Sequence, residues 1–185
     1  NDVVFIGGAT TTAHTIALGK GADTLSISGT TTITTSLGAG RGHDNISFGN
    51  VAGGTLSMGS AATINMGEGR DTLNLVIDSG VGLTIQGDAG NGTNFGADSI
   101  DVTFTKGTFT ALAVKGGGGD DTITLSAGAA FESANIAGNA GNDVITVSGA
   151  ISSQTTIGGG SGADTITLSD KSIATAALVK GGDGN

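Results

Sequence analysis

Short runs with apolar residues at alternate positions recur along the whole chain, and each run follows an aspartate. After Asp121, for example, apolar Ile123 and Leu125 alternate with polar Thr122 and Thr124. This alternation is typical of a β-strand with one buried face. It follows seven aspartates, which are Asp23, Asp44, Asp71, Asp98, Asp121, Asp143 and Asp164.

A second apolar position recurs before these aspartates and predicts a second strand. Seven residues before six of them stand Ile16, Leu37, Ile64, Val114, Ile136 and Ile157. Before Asp98 the matching residue is Ile85, six residues further back, which places an insertion in residues 87–97. A second insertion, in residues 49–62, falls in the opposite turn. The basic coil therefore has 21 residues, with two strands and two turns.

The spacing between successive aspartates is 21, 27, 27, 23, 22 and 21 residues. Units of this length cannot bury an apolar face alone and must stack on their neighbours. The Thr, Val, Ile and Gly content disfavours helices. We predict an all-β, right-handed parallel β-roll, or β-solenoid, of 21 to 27 residues per coil. Residues 1–185 would form one array of about eight coils, a segment of a longer repeat protein that is open at both ends.

Composition and charge narrow the choice of partners. The chain has 36 Gly, no Pro and no Cys, and a net charge of -9. Nucleic acid and anionic membranes attract clustered cations, so neither is an expected partner. No apolar run approaches the roughly 20 residues of a membrane span, so we expect no membrane insertion. The acidic balance favours inorganic cations, and the absence of Cys excludes thiolate metal sites.

The loops that end at the aspartates have a composition suited to calcium. Ca²⁺ takes six to eight hard oxygen ligands, many of them backbone carbonyls. Glycine lets the backbone turn its carbonyls toward one point, and the aspartate supplies charge. With each aspartate counted as loop position 6, residues 116–124 and 159–167 both match the pattern G-G-x-G-x-D-x-U-x, which is the calcium-binding repeat of RTX proteins.

The other loops match in part. Besides the seven aspartates, the candidate metal ligands are the loop glycines Gly19, Gly21, Gly40, Gly42, Gly67, Gly69, Gly117, Gly119, Gly138, Gly141, Gly160 and Gly162. The Asp98 loop is the weakest match, because Asp98 arrives only after the insertion. The motif lies on one edge of the coil only, so we expect one row of several Ca²⁺ ions. We expect no catalytic residues and no other cofactor.

These loops resemble those of the RTX (hemolysin-type) family of secreted calcium-binding β-roll proteins. The resemblance implies type I secretion, calcium-dependent folding and an extracellular location at a bacterial cell surface. Family rolls commonly carry the motif on both edges, and this chain departs from them in that respect. It looks most like a surface-layer (S-layer) or surface-fibril protein, a structural scaffold that extracellular Ca²⁺ makes rigid and that self-associates end to end or laterally. The alternative is an RTX segment of a secreted adhesin, toxin or protease.

Other interpretations are weaker. The aspartates could cap their own loops through local hydrogen bonds. An enzyme of the β-helix type would need basic residues and carboxylates in one cleft, whereas this chain has only seven scattered Lys and Arg. An ice-binding solenoid would need a regular Thr row, and Asn45 and Val144 interrupt it.

Several conspicuous side chains have simple structural interpretations. We expect Lys20, Arg41 and Glu68 to form a solvated charge ladder. His14, His43 and Asp120 are expected at the surface, and Phe48, Phe104 and Phe131 in the core.

Overall fold

The computed structural model describes residues 1–7, 10–29, 31–49, 56–58, 62–88, 95–107, 109–152, 154–169, 173–174 and 176–184. Most of the two predicted insertions therefore lies outside the described residues. Within those residues the chain forms only strands, which are β1 (Val3–Gly7), β2 (Thr10–Lys20), β3 (Thr24–Ser28), β4 (Thr31–Arg41), β5 (Asn45–Gly49), β6 (Leu56–Met58), β7 (Ala62–Asn65), β8 (Thr72–Ile77), β9 (Ser79–Val81), β10 (Leu83–Gln86), β11 (Ser99–Phe104), β12 (Phe109–Gly118), β13 (Thr122–Ala140), β14 (Val144–Ile151), β15 (Thr156–Ser161), β16 (Thr165–Leu168) and β17 (Leu178–Asp183).

The strands that follow the aspartates pair in parallel, each with its equivalent in the next coil. Eight segments stack in this first ladder, from β1 to β16. The apolar residues two positions after Asp2 and after each of the seven aspartates lie directly over one another, in the order Val4, Leu25, Ile46, Leu73, Ile100, Ile123, Ile145 and Ile166. The predicted parallel β-solenoid is confirmed, with about 22 residues per turn.

The strands that precede the loops form a second parallel ladder, from β2 to β17. Its paired positions are Ile16, Leu37, Ile64, Ile85, Val114, Ile136, Ile157 and Val179. Ile85 pairs with both Ile64 and Val114. The register predicted across the insertion before Asp98 is therefore confirmed.

The turn opposite the glycine loops contains a third, shorter ladder in addition to the two predicted strands. Its paired positions are Ile33, Met58, Gly80, Phe109, Phe131, Ile151 and Ile173. The corner between this ladder and the second one has a left-handed backbone, at Gly82 (φ 73°), Ala111 (φ 57°) and Ser133 (φ 59°). Glycine adopts this conformation without strain, whereas alanine and serine do not.

The core is a continuous column of apolar side chains between the ladders. The inward residues of the first two ladders are almost all fully buried in the middle coils. Phe48, Phe104 and Phe131 are buried, as predicted. At the opposite turn the ring centroids of Phe104 and Phe109 lie 4.6 Å apart, and those of Phe104 and Phe131 lie 5.5 Å apart. Burying one such side chain stabilises the fold by about 1.5 to 3 kcal/mol. No helix that could cross a membrane occurs in the described part of the chain.

Candidate metal centre

The glycines at loop positions 2 and 4 have backbone angles that only glycine adopts without strain. In the loop before Asp121, φ is 122° at Gly117 and 100° at Gly119. The same region, between 100° and 138°, is found at Gly19, Gly21, Gly40, Gly42, Gly67, Gly69, Gly141, Gly160 and Gly162. Gly138 differs because it stands at position 1, and Asn139 at position 2 has a φ of 81°. These angles let each loop turn sharply through its two glycines.

The loops of successive coils stack backbone on backbone. A Cβ added to Gly40 would lie 1.9 Å from the carbonyl oxygen of Gly19, and one added to Gly162 would lie 1.9 Å from that of Gly141. No side chain fits into such a contact. The edge of the solenoid is therefore lined with peptide carbonyls.

The seven aspartates, called here the aspartate row, lie behind these loops and are linked from coil to coil. The backbone N–H of Asp98 donates to Oδ1 of Asp121 at 2.8 Å, and Asp121 donates in the same way to Asp143 at 2.8 Å. Equivalent bonds of 2.7 to 2.9 Å join the remaining members of the row. These hydrogen bonds cross between coils, whereas the alternative of local capping requires them within one loop.

The second carboxylate oxygen, Oδ2, has no hydrogen-bond partner at any member of the row among the described residues, although the atom is buried each time. Six of the aspartates are at most 2% exposed, and Asp164 is partly exposed. A buried polar atom normally finds a partner, because desolvating it without one is costly. A cation or a proton beside each of these oxygens would satisfy it.

In the later coils Oδ2 lies directly against the glycine at loop position 1. A Cβ added to Gly116 would lie 2.2 Å from Oδ2 of Asp121, and one added to Gly138 would lie 2.2 Å from Oδ2 of Asp143. Gly159 and Gly87 contact Asp164 and Asp98 in the same way. In the first three loops position 1 is occupied instead by Leu18, Ala39 and Met66, which are buried. The row therefore contains two types of loop.

Burial raises the pKa of five carboxyl groups of the row. The pKa of Asp71 rises to about 6, that of Asp121 to about 7 and that of Asp98 to about 8. Burial also raises the pKa of Asp44 and Asp143. Neighbouring carboxylates of the row add to the rise, and the backbone N–H donor opposes it. A cation placed beside the row would lower these pKa values, because it stabilises the charged carboxylates.

The donor set fits a hard divalent cation. The oxygens beside the row belong to carboxylates and backbone carbonyls, and such ligands suit Ca²⁺ rather than zinc. No group of three or more His, Cys, Asp or Glu side chains suited to a metal occurs in the part of the chain that the structure describes. Because each coil contributes one aspartate, backbone carbonyls would have to supply most of the ligands.

Asp98, in the loop that matched the motif least well, occupies the row like the others. It donates to Asp121 and accepts from Asp71, each at 2.8 Å. Two further aspartates at this edge were not predicted as site residues. Asp2 donates its N–H to Asp23 at 2.6 Å, and the spacing of 21 residues could have revealed it. Asp88 lies in the Asp98 loop, where the insertion obscured its position. Gly87, Gly116 and Gly159 were likewise not predicted as site residues.

A separate series of hydrogen bonds, on the outside of the loops, involves the side chains at loop position 5. Asp120 is exposed, as expected, and its Oδ1 accepts from the N–H of Asn142 at 2.7 Å, while Asn142 accepts from Ala163 at 2.9 Å. His43 is exposed and its Nδ1 accepts from the N–H of Arg70 at 3.0 Å. At position 5 each side chain accepts from the backbone of the next coil, whereas in the aspartate row each side chain accepts from the backbone of the previous coil.

The predicted charge ladder contains one ion pair, between Arg41 and Glu68 at 3.2 Å, and Lys20 is exposed beside Arg41. The side chain of His14 lies outside the described part of the structure. Comparison of the chain with models of protein families, with curated proteins and with solved structures gave no match.

Proposed function

We propose that this chain is a calcium-binding structural scaffold of the bacterial cell surface, part of an S-layer or surface fibril. One observation supports it above all. Each coil from Asp23 to Asp164 contributes a carboxylate whose buried Oδ2 has no partner among the described residues. In a row of Ca²⁺ ions between the loops, each ion would be the electrostatic partner that these oxygens lack.

Electrostatics makes calcium a condition of rigidity. Without metal, carboxylates in adjacent coils lie about 4.8 Å apart, which is the spacing of paired strands, and like charges at that distance repel. The chain has a net charge of -9, so only a few divalent ions are needed to neutralise it. Extracellular calcium modules bind at about 10⁻⁴ to 10⁻³ M, so such a roll would be ordered outside the cell.

The scaffold role is supported by the uniform composition of the outward surface. Outside the loops, the outward positions of the first ladder are mostly Thr, Ser and Asn, and charged residues are sparse. In a solenoid each coil contacts only its neighbours, so further copies can add by stacking or by side-to-side packing. An RTX segment of a secreted adhesin, toxin or protease is the alternative, and it would share the same calcium chemistry.

A calcium titration tests the binding. The chain is stripped with EDTA and titrated with CaCl₂, while circular dichroism follows strand content and calorimetry counts the ions. We expect strand signal to be lost in EDTA and to return at millimolar calcium. An identical spectrum in EDTA and in calcium, with no heat of binding, would rule out the proposal.

Assembly is tested separately. Light scattering and negative-stain microscopy on the calcium-saturated chain distinguish a scaffold from an isolated segment. We expect calcium-dependent sheets or filaments. Calcium binding by a chain that stays monomeric at all concentrations would favour the alternative of an RTX segment in a larger secreted protein.

A further inference from the structure

The loop before Asp98 contains a second carboxylate, at a position where most other loops have glycine. The register of β10 and β12 aligns Asp88 with Gly117, which is loop position 2. The N–H of Asp88 donates to the carbonyl of Gly116 at 3.0 Å. A Cβ on Gly117 would lie 2.8 Å from the Cβ of Asp88. Asp88 is therefore part of the stacked loops and belongs to the same edge as the aspartate row.

The Asp88 carboxylate is held in a fixed orientation. The N–H of Gly96, two residues before Asp98, donates to Oδ2 of Asp88 at 3.1 Å. The bond joins loop position 2 to loop position 4 across residues 89–94. The other oxygen, Oδ1, is buried and accepts no hydrogen bond of normal geometry among the described residues, although the backbone N–H groups of Gly118 and Gly69 lie close enough to the carboxylate to oppose the rise of its pKa on burial.

Asp98 supplies an independent observation at the same place. Its side chain is 2% exposed, and its Oδ2 has no partner within the described residues. That oxygen lies so close to Gly87, the residue before Asp88, that a Cβ there would be 2.4 Å away. One loop thus presents two buried carboxylate oxygens without partners, whereas the other described loops present one each.

The surroundings of this loop are negative. Asp71 and Asp121 lie in the adjacent coils and are joined to Asp98 by hydrogen bonds. The ion pairs among the described residues involve the chain terminus, Arg41 and Lys106, and none of them reaches Asp88 or Asp98. Burial and the neighbouring carboxylates raise the pKa of Asp98 to about 8, the highest value in the row.

We propose that Asp88 and Asp98 together form the highest-affinity divalent-cation site of this chain, which fills first as calcium rises. The inference rests on the proposed calcium binding and adds an order of filling to it. The affinity of calcium sites rises with the number of charged ligands and with the rigidity of the site. This loop has one more buried carboxylate oxygen without a partner among the described residues than its neighbours have, and the Gly96 N–H already orients Asp88.

The test compares two variants with the same change in net charge. Asp88→Asn removes the additional charge and keeps the shape of the side chain, and Asp120→Asn does the same at an exposed position in the next coil. Each protein is titrated with Ca²⁺ by calorimetry and with Tb³⁺ by luminescence. We expect Asp88→Asn to weaken the tightest class of site by about tenfold or more, as loss of a charged ligand does. Asp120→Asn should change it by less than about twofold, because an exposed charge acts through water.

Equal affinities for wild type and Asp88→Asn in the tightest class would overturn the inference. A wild-type chain that binds no calcium would instead refute the proposed function. If Asp88→Asn does not reach the wild-type circular dichroism at saturating calcium, Asp88→Gly replaces it, since this variant restores the glycine of position 2. A tight first site that survives Asp88→Gly would also overturn the inference.

Discussion

The backbone N–H of Asp121 donates a 2.8 Å hydrogen bond to Oδ1 of Asp143, the equivalent residue of the next coil. Asparagine could accept that bond equally well through its own Oδ1. What asparagine cannot provide is a negative charge at Oδ2, the oxygen without a partner. The two roles of the aspartate row, hydrogen bonding and cation binding, can therefore be separated by one substitution.

Asp121→Asn is expected to have opposite effects with and without calcium. In EDTA it should raise the melting temperature, because it removes a buried charge whose pKa burial raises to about 7. In millimolar calcium it should lower the melting temperature by several degrees and weaken the binding of at least one Ca²⁺ ion. Scanning calorimetry under both conditions measures this. Asp120→Asn is the matched control, and a variant that is more stable under both conditions would contradict a role in metal binding.

The stability of the calcium-free chain should decrease as the pH rises. Burial raises the pKa of Asp71 to about 6 and that of Asp98 to about 8, from an ordinary value of 3.8. The folded state therefore binds protons more tightly than the unfolded state. The resulting stabilisation is complete below pH 3.8 and is lost as the pH passes through 6 to 8. Melting curves in EDTA between about pH 5.5 and 8.5 test this, and a constant or rising melting temperature would contradict it.

Gly138→Ala should disturb a single coil. The added Cβ would lie 2.2 Å from Oδ2 of Asp143 and 2.6 Å from the carbonyl oxygen of Gly159, so the carboxylate must move. We expect a loss of about 1 to 3 kcal/mol, the usual cost of overpacking, and one ion fewer by calorimetry. Gly158→Ala is the control, because a Cβ there has no atom within 4 Å. Similar ion counts for both variants would show that position 1 does not need glycine.

The corner beside the third ladder offers a reciprocal pair of substitutions. Ala111 has a φ of 57°, and Gly82 has a φ of 73° at the equivalent corner. Ala111→Gly should stabilise the chain by about 0.5 to 1 kcal/mol, and Gly82→Ala should destabilise it by a similar amount or more. Urea unfolding in saturating calcium measures both changes. If Ala111→Gly destabilises the chain, the packing of the Ala111 methyl group stabilises the fold by more than the backbone strain at this residue destabilises it.

The aromatic cluster at the opposite turn should matter equally with and without metal. Phe131 is fully buried and its ring meets that of Phe104 edge to face. Phe131→Ala should cost about 3 to 5 kcal/mol, because it leaves a cavity. The loss should be similar in EDTA and in calcium wherever the chain remains folded. A variant that changes calcium affinity as strongly as Asp121→Asn would contradict the separation of the two edges.

The fold could be predicted from the sequence because parallel stacking repeats the same requirement in every coil. Leu37, Ile64 and Ile85 reveal their register by subtraction from the aspartates, even across an insertion. The third ladder could not be predicted in this way. Its residues include Met58, Gly80 and Phe109, which share no residue type, and the loops that separate them from the aspartates vary in length.

The candidate site was predicted in position but not in orientation. The spacing of the aspartates placed them in one row, yet it could not indicate that Oδ1 would bond to the preceding coil and leave Oδ2 without a partner. Asp88 could not be assigned because the insertion separates it by ten residues from Asp98. Its place in the loop follows only from the pairing of β10 with β12.

The two ladders of hydrogen bonds at the loop edge run in opposite directions, since Asp143 reaches back to Asp121 and Asp120 reaches forward to Asn142. A break between these two coils would therefore leave different groups without hydrogen-bond partners on the two halves. The upstream piece would keep a main-chain donor and an outer carboxylate that have lost their partners. The downstream piece would expose the inner carboxylate of Asp143, stripped of its only donor among the described residues. The two surfaces produced by such a break are therefore chemically different. Only the downstream surface exposes an aspartate of the row whose Oδ1 has lost its donor.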